Sequence, residues 1–366
     1  MKIVISTILT ILLIVIVACN ETSNVVENGK KKYIFYTEGT DTSINIHRID
    51  MESNQDTLLI NFAFLMSSPV NNRMVYTSID FNGEIGTIIT SDINGQNKNV
   101  LVSGEGVFFS HLSPDASKVI YFIRGTDEDY PVEIHVLNFD GTNDLKLYSY
   151  LQSTDDYLPV AKFSSDSKKI AFVTHGFEDN DSLYIINTDG SNLTLIGIAD
   201  GLPLGIDWSP NGKKIACTVV EDEHQINIRS FNTDGTGSKL LTTDGDYKVK
   251  PVFSPDGSLI TYYQDVCDIH IIHSDGSGHK KLTNNTGNDN DIKLMYPTWS
   301  PDGKLIVYPS TENSDGGDIY FGDELRTIDV STSEIKRYAV GKQVINGYMY
   351  FTNVKQVING YMYFTK

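Results

Sequence analysis

Beyond residue 20 the apolar residues gather in short runs such as KVIYF, KIAFVT and LITYY, each cut off by Gly, Asn, Asp, Ser or Pro. No long stretch carries the 3.6-residue rhythm of an amphipathic helix. Short runs rich in β-branched and aromatic residues, bounded by turn formers, predict strands and tight turns throughout.

The runs repeat. VFSPDGSLITYY surrounds Ser254, TWSPDGKLIVY Ser300, DWSPNGKKIACTV Ser209, KFSSDSKKIAFVT Ser164, HLSPDASKVIYF Ser113 and MSSPVNNRMVY Ser68, and VENGKKKYIFYT is a weaker seventh copy with Asn28 in the serine place. In chain order the six serines lie 45, 51, 45, 45 and 46 residues apart. A fixed period of this length signals a propeller or solenoid. A second landmark follows each serine by about 25 residues: LNFDGTN, INTDGSN, FNTDGTG and IHSDGSG. Two turns per repeat with apolar runs around them make four strands, A to D, with Ser-Pro-Asp-Gly between A and B and Asp-Gly between C and D.

In the first turn Pro fixes φ near −65°, Ser and Asp bond nearby N–H groups, and Gly takes the left-handed conformation. Ala116 and Ser167 stand in the Gly place of two copies. A left-handed backbone there costs about 1 kcal/mol, so these two turns are expected to relax to another type. A four-stranded sheet with two apolar faces cannot stand alone in water. Packing such sheets around an axis buries both faces and leaves only short edges. The expected fold is therefore all-β: a β-propeller of four-stranded antiparallel blades, seven in number, with six as the alternative. The large residues before the serines, Leu112, Phe163, Trp208, Phe253 and Trp299, should fill the contacts between blades, and the closing blade should combine N-terminal and C-terminal strands.

The pattern [FW]-S-P-[DN]-G-x-x-I-x-[FY] followed by Asp-Gly-Ser/Thr resembles the repeat of the TolB family, and of the propellers in dipeptidyl peptidase IV-like and oligogalacturonate lyase proteins. The resemblance spans roughly residues 28 to 350. It implies a fold more than a function, since one propeller architecture hosts many activities.

Residues 1 to 19, MKIVISTILTILLIVIVAC, have the layout of a secretory signal, and their apolar run is short for a membrane span. Ile16, Val17, Ala18 and Cys19 resemble the bacterial lipobox, which implies cleavage before Cys19 and lipid attachment to its sulfur. The expected organisation is a lipoprotein signal at 1–18, a lipidated Cys19 and flexible tether at 19–31, a propeller at 32–352 and a duplicated tail at 353–366. In that tail KQVINGYMYFT stands at 342–352 and again, letter for letter, at 355–365. One copy should join the last sheet and the other be surplus. TolB proteins carry a globular domain before the propeller, which the short tether here has no room for, so the resemblance is to a TolB-like propeller lipoprotein.

Composition fits this picture: 40% hydrophobic residues, 20 Tyr, 16 Phe and 29 Gly. The net charge of −18 repels nucleic acid and anionic membrane surfaces. Three cysteines are too few for a disulfide framework, and Cys217 and Cys267 read as free thiols.

Two surfaces are candidates for function. The A–B and C–D turns share one face and are monotonous. The B–C and D–A connections share the other, and there the acidic residues collect: Asp127, Glu128, Asp129, Glu178, Asp179, Asp181, Glu221, Asp222, Glu223, Asp289 and Asp291. Loops on a rigid scaffold are the usual working surface, and a negative face attracts a basic partner or cations. Around the channel, two residues before their serines, stand His111, Lys162 and Asp207, with Lys162 and Asp207 at equal depth on adjacent blades and able to pair as a clamp.

There is no Gly-x-Ser-x-Gly elbow, His-Glu-x-x-His or phosphate loop. His175 and His224, with Glu221 or Asp222 nearby, are the one set that can be assembled for a divalent metal, and they match no lyase motif residue by residue. The expected function is a non-catalytic, lipid-anchored envelope scaffold, without a cofactor, that binds an envelope protein or glycan and meets the membrane through its lipid. The alternative is a metal-dependent carbohydrate-active enzyme at the channel mouth.

Overall fold

The computed structural model describes residues 33–345 except 41–42, 66, 68, 80–84, 126–130, 152–159, 175–180, 199–204, 223–224, 245–246, 265–267, 285–296, 311–320, 323 and 339–343, together with 354–358 and 361–364. Seven four-stranded antiparallel blades form a ring. Strands A to D run in order within each sheet. Blade 2 comprises Ala63–Phe64, Arg73–Ile79, Ile85–Asp92 and Asn99–Glu105; blade 3 comprises Val107–Leu112, Lys118–Arg124, Pro131–Asn138 and Leu145–Leu151. Blade 4 comprises Val160–Phe163, Lys169–Thr174, Ser182–Asn187 and Thr194–Ile198; blade 5 comprises Ile206–Trp208, Lys214–Asp222, Gln225–Asn232 and Ser238–Leu240. Blade 6 comprises Lys248–Phe253, Leu259–Gln264, Asp268–His273 and Lys280–Lys281; blade 7 comprises Thr298–Trp299, Leu305–Ser310, Glu324–Asp329 and Ile335–Tyr338.

Blade 1 closes the ring. Tyr33–Thr40, Ser43–Asp50 and Gln55–Asn61 supply its strands B, C and D, while strand A comes from the far end of the chain as Val344–Ile345, with Glu38 opposite Val344. On its other side Val344–Ile345 pairs with Phe321–Gly322. The second copy of the repeated tail instead forms a separate hairpin, Val354–Ile358 with Tyr361–Phe364.

The apolar core lies between blades rather than within one. Leu112 packs with Val75 and Ile88 of blade 2, Phe163 with Phe122 of blade 3, Trp208 with Val173 of blade 4, Phe253 with Ile228 of blade 5, and Trp299 with Ile271 of blade 6. The two indoles also hold their neighbours by hydrogen bonds: Trp208 Nε1 donates to the Lys162 carbonyl and Trp299 Nε1 to the Val252 carbonyl, both at 3.1 Å.

The turn face adds a polar belt that passes through every blade junction. Arg48 Nη1 donates to Asn94 Oδ1, Arg73 Nη1 to the Ala116 carbonyl, the Asp115 amide to Ser167 Oγ and Ser165 Oγ to the Pro210 carbonyl. Lys239, Lys280 and Lys336 continue it to the carbonyls of Asp275, Val330 and Met51. The last of these joins blade 7 to blade 1.

Among the described residues, five A–B turns, those of blades 3 to 7, are held by their serines. Ser254 Oγ accepts from the Leu259 amide at 2.9 Å and donates to Asp256 Oδ1 at 2.6 Å, and the same pair of bonds recurs at Ser113, Ser164, Ser209 and Ser300. The turns at Ala116 and Ser167 do not relax as their sequences suggest. Ala116 has φ 57° and Ser167 φ 60°, close to 73° at Gly257. Two gains offset the left-handed strain: the Ala116 methyl is buried against the blade 2–3 core, and Ser167 Oγ accepts from the Asp115 amide of the preceding blade at 3.0 Å.

Candidate functional site

The inner strands of successive blades pack side by side around the axis, which brings strand A residues of different blades together. Lys162 Nζ lies 2.8 Å from Asp207 Oδ1, and Asp207 Oδ2 accepts from the Phe253 amide at 2.8 Å. One carboxylate thus ties blades 4, 5 and 6. His111, on blade 3, is held down to about 4 by desolvation and, second, by the charge of Lys162, so its imidazole is neutral at pH 7. Its Nδ1 lies 3.0 Å from the Leu112 carbonyl.

Lys250 joins this group. It sits at a bulge in strand A of blade 6 with φ 59°, its side chain is buried, and desolvation followed by repulsion from Lys162 holds its amine well below the usual lysine range. Phe109 occupies the matching place in blade 3, four residues before the serine, with φ 52° and a similar bulge. Sequence reasoning missed Lys250 because a bulge moves its side chain off the two-residue alternation of the strand.

A second group missed from sequence spans strands B, C and D. In blade 3 Tyr121 Oη donates to Asp144 Oδ2 at 2.6 Å, and His135 Nδ1 lies 3.3 Å from Asp144 Oδ1. In blade 1 Tyr36 Oη donates to Asp56 Oδ2 at 2.8 Å, with His47 Nδ1 3.2 Å from Asp56 Oδ1. Blade 6 keeps the Tyr262–His270 pair but places His279 where the aspartate stands, with His270 Nδ1 2.7 Å from His279 Nε2. Burial and the neighbouring Asp244 raise the Tyr262 phenol, whose oxygen has no hydrogen-bond partner among the described residues. Desolvation, then the charge of His279, holds His270 down to about 4. The signal was present in the chain: each His stands three residues before the first residue of its C–D turn, at Asp50, Asn138 and His273, and the third partner stands six after it. These groups lock three strands of a blade together.

The acidic face lies mostly outside the described residues: Asp127, Glu128, Asp129, Glu178, Asp179, Glu223, Asp289 and Asp291 all do, as do Cys19, Cys267, His175 and His224. One placement is corrected. Asp181 is buried, 7% exposed just before strand C of blade 4, where its charge acts on Tyr150 and Cys217. Glu221 and Asp222 end strand B of blade 5, with Asp222 opposite Gln225 at the B–C connection. Cys217 is a buried free thiol, pushed up to about 12 first by desolvation, and is no nucleophile at neutral pH. Among the described residues no three His, Cys, Asp or Glu side chains gather in a way that holds a metal ion.

No family model matches the chain. The Tol-Pal system protein TolB of Francisella tularensis subsp. holarctica (strain OSU18) is 25% identical over 280 residues, covering 71% of this chain. That of subsp. mediasiatica (strain FSC147) is 26% identical over 248 residues, covering 63%. The chain spans just over half the length of these relatives, 57% and 52%. It is similar in sequence to TolB, at low identity. Among solved structures, TolB from Acinetobacter baumannii superposes with a TM-score of 0.53 at 15% identity, covering 85% of this chain and 80% of the other. An oligogalacturonate lyase in complex with manganese gives 0.57 at 15% identity, covering 85% and 86%. An acylaminoacyl peptidase gives 0.59 at 10% identity, covering 87% and 52%. At these identities the superpositions speak to the fold alone.

Proposed function

We propose that this protein is a lipid-anchored propeller of the cell envelope that holds a protein partner on the face formed by its B–C and D–A connections, without catalysis. The observation that carries the reading is the sequence similarity to TolB, a Tol-Pal system protein, across 280 residues of a chain folded as a closed ring. The channel supports it. Lys162, Asp207 and Phe253 are engaged with one another, His111 is neutral, and Cys217 is buried as a thiol, so the described inner surface serves rigidity better than turnover. The charge of −18 suits a basic patch on an envelope protein and disfavours nucleic acid. A glycan is the other partner class that such a loop face can take.

Two changes test the reading separately. Cys19→Ala should move the protein from the membrane fraction to the soluble envelope fraction while leaving its fold intact. Glu221→Lys, Asp222→Lys and Glu223→Lys together should reduce partner recovery in a cross-linked pull-down at least tenfold, an effect weakened by salt. Unchanged recovery would remove the loop face as the binding surface, and a membrane-bound Cys19→Ala protein would remove the anchor.

A further inference from the structure

The repeated tail places two identical segments within reach of one position in the ring. Strand A of blade 1 is Val344–Ile345, held between Glu38 of strand B and Phe321–Gly322. Both residues belong to KQVINGYMYFT at 342–352, and the copy at 355–365 presents Val357 and Ile358 in the same internal places. Among the described residues the second copy pairs only with itself, Gln356 opposite Tyr363, Val357 opposite Met362 and Ile358 opposite Tyr361, and joins no third strand.

We infer that the closing position of blade 1 accepts either copy, so that the ring exists in two forms whose C-terminal strand is shifted by 13 residues. The exchange is nearly symmetric. When 355–365 enters the ring, Val357 meets Glu38 and Gly322, and Ile358 meets Phe321. The released first copy folds the hairpin that the second one vacates, Gln343 opposite Tyr350, Val344 opposite Met349 and Ile345 opposite Tyr348, about the same Asn-Gly turn. Of the described pairings only Val354 with Phe364 has no equivalent, because Gly341 stands in the place of Val354.

What separates the two forms is loop length. Strand D of blade 7 ends at Tyr338, so 5 residues (339–343) lead to Val344 in the first form and 18 (339–356) lead to Val357 in the second. Closure entropy scales as the three-halves power of loop length, which favours the first copy by about sevenfold if the longer loop is free and about threefold if the hairpin at 343–350 pinches it. The second form is therefore a minor state, on the order of one molecule in four to one in eight. The duplicated tail thus acts as a spare latch: loss of the first copy from the seam leaves an equivalent strand tethered beside the gap.

The test is a competition for one cysteine. The full chain carries Glu38→Cys, Val344→Cys and Val357→Cys together, with Cys19→Ser and Cys267→Ser, while buried Cys217 stays. Directly opposed residues of an antiparallel pair lie within disulfide reach. After mild oxidation, peptide mass spectrometry of the monomer should find position 38 disulfide-linked to position 344 and to position 357, the first about three to seven times as often. A 38–357 linkage below one in a hundred, or found only between two molecules, would overturn the inference. A second set covers loss of folding: Val344→Pro should leave the ring folded with 38–357 as its intramolecular linkage, whereas Val344→Pro with Val357→Pro should expose strand B of blade 1 to hydrogen exchange. If Val344→Pro alone exposes that strand as fully as the double variant, the second copy is no latch.

Discussion

The two faces of the ring are built on opposite principles. On the turn face the same serine bonds recur in blades 3 to 7, and a side chain or amide of one blade reaches the next at each junction, ending with Lys336 on Met51. On the other face the connections differ in length and residue from blade to blade, as 222–225 and 311–323 illustrate. The difference teaches where stability and selection can be separated. A residue on the turn face is constrained by its neighbours around the circle, while a residue on the connection face is free to serve a partner.

The largest expected effect comes from the channel, where one carboxylate serves three blades. Asp207→Ala strands the Lys162 ammonium and the Phe253 amide together and should cost about 3 kcal/mol in urea unfolding. Asp207→Asn keeps an acceptor for the amide and should cost about half as much. Equal, small losses for both would show that the blades do not depend on this junction.

Next in size is the departure within the sheet of blade 6. His270 is neutral in the fold with its ionisation near 4, whereas an unfolded histidine titrates near its ordinary 6.5. The unfolded chain therefore binds the extra proton first. The stability linked to His270 is complete above pH 6.5, declines as pH falls toward 4 and levels off below it, with a loss on the order of 3 kcal/mol, and His111, also held down to about 4, adds a decline of the same sign. His279→Asp recreates the arrangement of Asp144 in blade 3, giving Tyr262 and His270 a shared carboxylate, and should remove the His270 share of this decline while leaving that of His111. An unchanged pH profile of urea midpoints would separate the blade 6 pair from acid sensitivity.

The smallest effects test the turns. Gly257→Ala should cost about 1 kcal/mol for its left-handed backbone. Ala116→Gly relieves similar strain but loses a buried methyl, so it should fall within about 0.5 kcal/mol of the parent. A large loss at Ala116 would mean that its methyl contributes more than the strain it carries.

Much of this was legible in the chain because the repeat is local. A turn that needs Ser254 and Leu259 five residues apart writes its own signature, and the residue before each serine announces the blade contact. The aspartate at 207 and the lysine at 162 were readable because equal offsets mean equal depth. Lys250 was not, since a bulge breaks the alternation that assigns faces. His135 and His47 were hidden for another reason: their distance from the serine varies with the B–C connection, although their distance from the C–D turn does not. Asp181 looked exposed because it stands beside other acidic residues, and its nearness to Tyr150 of blade 3 and Cys217 of blade 5 is visible only in the fold. Letter-for-letter identity cannot say which tail copy closes the ring; loop length can.

The division of labour between the faces can be measured directly by placing a photo-reactive amino acid at Asp222 on the connection face and, separately, at Gly235 on the turn face in intact cells. The account predicts partner adducts from position 222 and none above background from position 235. Adducts from position 235 with none from 222 would contradict it.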